Sequence, residues 1–247
     1  ARWDHFTQYA SQFSPRMGVV YRINESTAIN GAIGRAFREP TFNDLYWFEQ
    51  FGDSFMRGNP QLLPESAWGY ELGIKQDNHL SGWALSLFQR DVKNLINWAP
   101  IPDDPNSWQV MNTDSAQIRG WELSGEGTLA PGLRGKLDYT YLQARDLAKE
   151  IPIPGIPVYQ SSFSALYDFS QHTSLFGQIQ LTGARGDLAP YHVVNLAVTK
   201  KINDQTDLLL KVNNLWNKEY EFYADYPASP RTFVLGAKYS FLDYKGK

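Results

Sequence analysis

The chain has 247 residues, 43% hydrophobic and 20% charged, which is enough apolar material to bury a substantial core and excludes a disordered chain. Its 23 basic and 26 acidic residues leave a net charge of -3, which excludes the broad electropositive surface of a nucleic-acid binder, and the absence of cysteine excludes disulfide frameworks, thiolate metal sites and cysteine nucleophiles. Aromatic residues make up 15% of the chain, with 8 Trp, 14 Tyr and 14 Phe, more than a soluble core needs and of the kinds that collect at membrane interfaces.

A spanning helix needs about 20 consecutive apolar residues, and apolar runs here are short, such as Met17-Gly18-Val19-Val20-Tyr21. The dominant periodicity is instead two, the mark of a strand with one apolar and one polar face. It predicts eleven strands, over 14 to 24, 26 to 37, 66 to 77, 81 to 98, 109 to 129, 133 to 147, 158 to 170, 173 to 184, 191 to 202, 206 to 215 and 231 to 242. In the third, Trp68, Tyr70, Leu72 and Ile74 oppose Gly69, Glu71, Gly73 and Lys75. In the sixth, Leu133, Leu137, Tyr139 and Tyr141 oppose Arg134, Lys136, Asp138 and Thr140. In the last, Phe233, Leu235, Ala237, Tyr239 and Phe241 oppose Thr232, Val234, Gly236, Lys238 and Ser240.

Short turns alternate with longer loops near 38 to 65, 99 to 108, 147 to 157, 185 to 190 and 216 to 230. The first long loop crowds Tyr46, Trp47, Phe48, Phe51, Phe55 and Met56 beside Arg38 and Arg57, a density of aromatics that suits either a recognition surface or packing against neighbouring loops and the outer-leaflet interface. Its Gly52-Asp53-Ser54 resembles the serine motif of one lipase and esterase group, but no Asp-x-x-His partner follows. Trp98 and Trp108 flank the acidic tip Ile101-Pro102-Asp103-Asp104-Pro105-Asn106, a solvated turn or a place for a calcium ion. Tyr220, Phe222, Tyr223, Tyr226 and Arg231 form a second aromatic group in the last loop, a candidate for contacting a ligand from the opposite wall.

Most segments reach the roughly 9 to 11 residues of a tilted membrane-spanning strand, about twice the usual strand of a soluble sandwich, which is the bland alternative. Short turns on one side and long loops on the other is the layout of an outer-membrane barrel with the short set periplasmic. An antiparallel sheet that closes on itself needs an even number of strands, and an open edge is not tolerated in lipid. Eleven strands therefore predict an all-β transmembrane antiparallel sheet that is half of a barrel.

Two stretches carry a family resemblance. Gly34-Arg35-Ala36-Phe37-Arg38-Glu39-Pro40-Thr41-Phe42-Asn43-Asp44-Leu45-Tyr46, followed by Gly58-Asn59-Pro60-Gln61-Leu62-Leu63-Pro64-Glu65, resembles the mid-barrel region of TonB-dependent outer-membrane receptors. Val212-Asn213-Asn214-Leu215-Trp216-Asn217-Lys218-Glu219-Tyr220 and Pro230-Arg231-Thr232-Phe233-Val234-Leu235-Gly236-Ala237-Lys238-Tyr239-Ser240-Phe241 resemble the last two strands of the same family. Ile118-Arg119-Gly120-Trp121-Glu122 is similar to its internal strand pattern. Asn59, Pro60 and Glu65 read as loop architecture, with Glu65 accepting backbone or Arg hydrogen bonds.

The resemblance implies that residues 1 to 242 are the C-terminal half of a 22-stranded barrel, and that residues 243 to 247 are an extension or tag remnant. It implies as partners an N-terminal half with its plug domain, as a separate chain or as a missing segment, and the TonB complex of the inner membrane. Outer-membrane lipid and a small chelate, a ferric siderophore or cobalamin, complete the set, with no nucleic acid. The function implied is energised uptake across the outer membrane of a Gram-negative bacterium, with no catalytic residue, metal or cofactor assigned to this chain. Haem-binding members carry a histidine between the two mid-barrel motifs, and residues 41 to 58 contain none. The alternatives are a passive pore and a barrel hydrolase built around a histidine such as His192.

Overall fold

A computed structural model describes residues 1–6, 10–78 and 80–241, and of these the side chains of all but 113 and 114. The extension expected over 243–247 lies outside the described residues.

Eleven strands form one continuous antiparallel path in chain order. They are β1 Arg16–Arg22, β2 Thr27–Arg38, β3 Glu65–Asp77, β4 Ser81–Ile101, β5 Asp104–Ala130, β6 Leu133–Asp146, β7 Tyr159–Ser170, β8 Thr173–Thr182, β9 Tyr191–Asn203, β10 Thr206–Asn213 and β11 Thr232–Tyr239. Each matches a segment predicted from alternation. The turns at one end are set by short polar side chains that mimic a backbone acceptor. Asn24 Oδ1 accepts from the Ser26 and Thr27 amides at 2.9 and 2.8 Å, Asn78 Oδ1 from Leu80 and Ser81 at 3.0 Å each, and Asn203 Oδ1 from Gln205 at 2.9 Å. Between β5 and β6, Gly132 takes φ +73°, a left-handed conformation that favours glycine.

The register aligns the alternation of every strand. One face carries cross-strand rows such as Val19, Gly31, Leu72, Leu87, Trp121, Tyr141 and Tyr159, and Tyr167, Leu175, Val198, Leu210 and Leu235. The other carries Gly73, Ser86, Glu122, Thr140, Gln160 and Thr182, and beside them Lys75, Ala84, Ser124, Asp138, Ser162 and Gln180. Leu235 is 81% exposed on the apolar face, and Val19, Leu72 and Leu210 are about half exposed. A continuous apolar surface of this extent needs an apolar solvent. Aromatic rings sit toward its two ends, with Trp68, Tyr70 and Trp121 near the long loops and Trp83, Tyr167 and Tyr239 near the turns.

The 99 to 108 segment, expected as a loop, is strand almost throughout. β4 and β5 run to Ile101 and from Asp104, leaving Pro102 and Asp103 as the tip. At about 3.3 Å per residue, the 21 residues of β4 extend about 70 Å, roughly twice the length needed to cross a bilayer. Proline and paired aspartates read as a loop locally, but Ile96 and Val110 in this upper hairpin are buried by the loop between β2 and β3, which makes the extension stable.

Candidate functional site

The loop between β2 and β3 is a folded unit. Thr41 caps a one-turn helix, α1 Phe42–Tyr46, its hydroxyl accepting from the Asp44 amide while the Asp44 carboxylate accepts from the Thr41 amide. Arg38, at the end of β2, donates to Asp44 Oδ2 at 3.2 Å and stands 3.7 Å from Glu65 Oε2, and that same oxygen accepts from the Ile96 amide at 3.2 Å. Arg38 thus ties the foot of the loop together. Leu45 and Leu62 are buried against Ile96 and Val110, with Trp98 packed on this cluster. Asn59 donates its amide to Asp44 O at 2.8 Å, and its side chain accepts from Gln61 at 2.9 Å.

After the helix, Phe48–Phe51 and Ser54–Arg57 form a hairpin whose tip is Gly52-Asp53, with Gly52 at φ +59°. The second arm of this hairpin pairs in parallel with the top of β5, matching Met56 to Trp108 and Arg57 to Gln109. Ser107, fully buried, accepts from the Phe55 amide at 3.0 Å and fixes the arm. Phe48 and Phe55 stack at 6.2 Å, and the Arg57 guanidinium lies 5.3 Å from the Phe55 ring centre while donating to Gln109 at 3.4 Å. A cation over an aromatic face, with Trp108 alongside, suits a planar or anionic ligand. Phe51, Tyr46 and Trp47 are exposed around this group, and Tyr46 packs on Phe42 at 5.0 Å.

The second aromatic group is separate. Tyr223 and Tyr226 face each other across the small hairpin Glu221–Tyr223 and Tyr226–Pro227, both about 70% exposed. Arg231 sits at the foot of this loop, donating to Leu215 O at 3.3 Å and lying 5.9 Å from the Phe233 ring, which belongs to the apolar face. The structure brings Phe48, Phe55, Arg57 and Trp108 together, places Arg38 and Trp98 beneath them, and sets Tyr223 and Tyr226 on a different loop.

Arg185, which sequence reasoning passed over, organises this second group. It is buried, donates to the Glu221 and Phe222 carbonyls at 2.6 and 2.9 Å, and lies over Tyr191 at 5.3 Å. Tyr191 in turn stacks on Tyr220 at 4.2 Å. Burial, and next the neighbouring Tyr191, raise the Tyr220 phenol above its ordinary value of 10.0. An arginine between Gly183 and Gly186 in a short loop is the signal that points to it. His192 packs edge-on against Trp216 at 5.5 Å. Among the described residues, no group of three or more His, Asp or Glu gathers to hold a metal.

Comparison with known proteins agrees with this architecture. The family model described as TonB dependent receptor-like, beta-barrel matches residues 1–215. The vitamin B12 transporter BtuB of Photobacterium profundum is 28% identical over 255 residues, covering 97% of this chain and 40% of the relative. An iron-regulated outer membrane virulence protein of Vibrio cholerae is 25% identical, covering 97% and 41%. Among solved structures, the ferric enterobactin receptor PfeA of Pseudomonas aeruginosa superposes with a TM-score of 0.79 at 22% identity, covering 97% of this chain and 42% of that one. The copper transporter OprC gives 0.77 at 17% identity, covering 92% and 39%. The chain spans about two fifths of the length of these relatives. The eleven-stranded sheet is half of their barrel, and the chain belongs to the TonB-dependent receptor β-barrel family.

Proposed function

We propose that this chain forms the C-terminal half of the barrel of an outer-membrane receptor, residues 1 to 242, that captures a scarce chelate at its outer mouth for TonB-energised uptake. The remaining partners in this reading are an N-terminal half carrying a plug, the TonB complex that acts on it, and the lipid around the apolar face. The relatives named for vitamin B12 and ferric enterobactin favour a metal chelate as the cargo. The observation that carries the reading is the recognition loop itself. It is fastened to the upper β4–β5 hairpin by buried Leu45 and Leu62 and by Ser107, and it presents Phe48, Phe55 and Arg57 next to Trp108. Stacked rings with a guanidinium bind an anionic aromatic chelate by cation–π, stacking and charge-assisted contacts.

The test is equilibrium binding of a panel, a ferric catecholate, a ferric hydroxamate and cobalamin, to the complete receptor. Combined Phe48→Ala, Phe55→Ala and Arg57→Gln should weaken binding of the cognate chelate by about tenfold or more. Unchanged affinity for every member that binds would overturn the assignment of this loop.

A further inference from the structure

Two edges of the upper sheet end in different ways. Above Lys93, β4 has no strand beside it on the β3 side, since the last pair there joins Ser66 to Lys93. That edge is closed. The Ile96 amide donates to Glu65 Oε2 at 3.2 Å, the Trp98 amide to Asn97 Oδ1 at 2.9 Å, and Pro100 has no amide hydrogen to offer. The other edge is the first arm of the loop hairpin, Phe48–Phe51, which pairs only with the second arm, Ser54–Arg57. All four of its residues are exposed.

Alternation decides which backbone groups of this arm are free. Trp47 O accepts from the Gly58 amide at 2.7 Å, so Trp47, Glu49 and Phe51 turn their N–H and C=O toward the second arm, and Phe48 and Gln50 turn theirs outward. The next outward carbonyl, Gly52 O, is taken by Gln50 Nε2 at 3.1 Å. Two residues about 7 Å apart are left, presenting two donors and two acceptors that meet no partner among the described residues. The side chains divide between the two faces. Phe48, Gln50, Phe55 and Arg57 share one, and Glu49, Phe51 and Met56 share the other.

We propose that the outward backbone of Phe48 and Gln50 pairs, strand to strand, with the peptide backbone of a small metal chelate, so that the cargo is a peptidic chelate with anionic groups on the residues opposite Phe48 and Gln50. This rests on the reading of the loop between β2 and β3 as the chelate site, and it names the chemistry of the cargo. A three-residue peptide fills the edge, its first and third residues exchanging hydrogen bonds with the two outward residues while the middle one turns away. The edge is shorter than the roughly five to six residues of a usual paired strand, which favours a small peptide over a strand of a folded protein. The first and third residues then project onto the face of Phe48, Phe55 and Arg57, where the guanidinium complements negative charge. The middle residue projects onto the face of Glu49, which selects against a second carboxylate there.

The experiment is equilibrium binding of three probes to the complete receptor: a ferric hydroxamate built on a linear peptide, the same complex methylated on its backbone nitrogens, and a ferric hydroxamate on a hydrocarbon tether. The wild type should bind the first about tenfold or more tighter than the other two, because only the first offers backbone donors to the edge. Gln50→Pro removes one outward amide hydrogen and leaves Glu49 and Phe51 paired, so it should bind the peptide complex no better than the methylated one. Gln50→Ala, which keeps that hydrogen, should show the preference. In the wild type, hydrogen exchange at the Phe48 and Gln50 amides should slow when the peptide complex binds, a readout that does not depend on the proline variant folding. Failure of the peptide complex to bind, equal affinity for its methylated form, or unchanged exchange at both amides would each overturn the proposal. Combined Phe48→Ala, Phe55→Ala and Arg57→Gln reads the loop separately. If it weakens every probe that binds while wild type does not distinguish the methylated form, the peptide class is wrong and the loop assignment stands.

Discussion

Asn112 pairs with the backbone of Leu63 as a strand residue would, its Oδ1 accepting from the Leu63 amide at 2.8 Å and its Nδ2 donating to the Leu63 carbonyl at 3.0 Å. The same Nδ2 also reaches the Asn94 carbonyl at 2.8 Å, so one side chain joins the loop between β2 and β3 to both strands of the upper hairpin. Asn112→Ala removes these bonds, each contributing about 0.5–1.5 kcal/mol. Hydrogen exchange at the Leu63 amide should accelerate roughly tenfold to a hundredfold while exchange in β8 and β9 stays unchanged. An unaltered rate at Leu63 would show that the loop is held by its apolar cluster alone.

Gly58 is required by a close approach rather than by its backbone angle. A Cβ there would lie 2.6 Å from the Leu45 carbonyl carbon and 2.7 Å from its oxygen, with no flexible side chain to yield. Gly58→Ala should force the loop apart at a cost of about 1–3 kcal/mol. Limited proteolysis between Trp47 and Gly58 then becomes faster, and chelate affinity falls in step. A variant as resistant as the wild type contradicts the packing described.

The two faces of β11 make different predictions for the same substitution. Leu235→Arg places a cation on the apolar row and should cost about 2–4 kcal/mol in vesicle-reconstituted receptor, by analogy with arginine near the bilayer midplane. Val234→Arg, on the polar face of the same strand, should cost much less. Equal losses in urea unfolding would mean that the exposed leucines do not meet hydrocarbon.

Tyr220 gives the last loop a pH dependence of defined sign. Its phenol is raised by burial and by Tyr191, so above pH about 10 the unfolded loop releases a proton that the folded loop still holds. The stabilisation is complete below that pH and is lost as pH rises through the folded value. The difference in tyrosinate absorbance between wild type and Tyr220→Phe should titrate later than free tyrosine. A difference curve centred at the ordinary value would show an unburied ring.

All eleven sheet strands were legible, because a face in hydrocarbon and a face in water write a period of two along every crossing strand. The height of β4 and β5 was not. Above the bilayer the outer face of the hairpin no longer needs apolar residues, so Asp91, Lys93 and Asn97 break the alternation, and the cover for Ile96 and Val110 comes from Leu45 and Leu62, some fifty residues away. In the loop between β2 and β3, the Pro and Gly positions marked it as loop, while the contacts that fold it were not readable from the crowding of aromatics. Only the fold separates Arg38, spent on Asp44 and Glu65, from Arg57, which sits over Phe55. Arg185 escaped for the same reason, since its partners are backbone carbonyls of Glu221 and Phe222 that carry no side-chain signature.

The path from β1 to β11 crosses the sheet an odd number of times, so both border strands run in the same direction, from the loop end toward the turn end. Antiparallel closure needs an upward neighbour at each border. Whatever shuts the ring therefore begins and ends with upward strands and contributes an odd count, a parity rule that a ring made from this arc and a second copy of itself in the same orientation cannot meet, since both of its seams would be parallel.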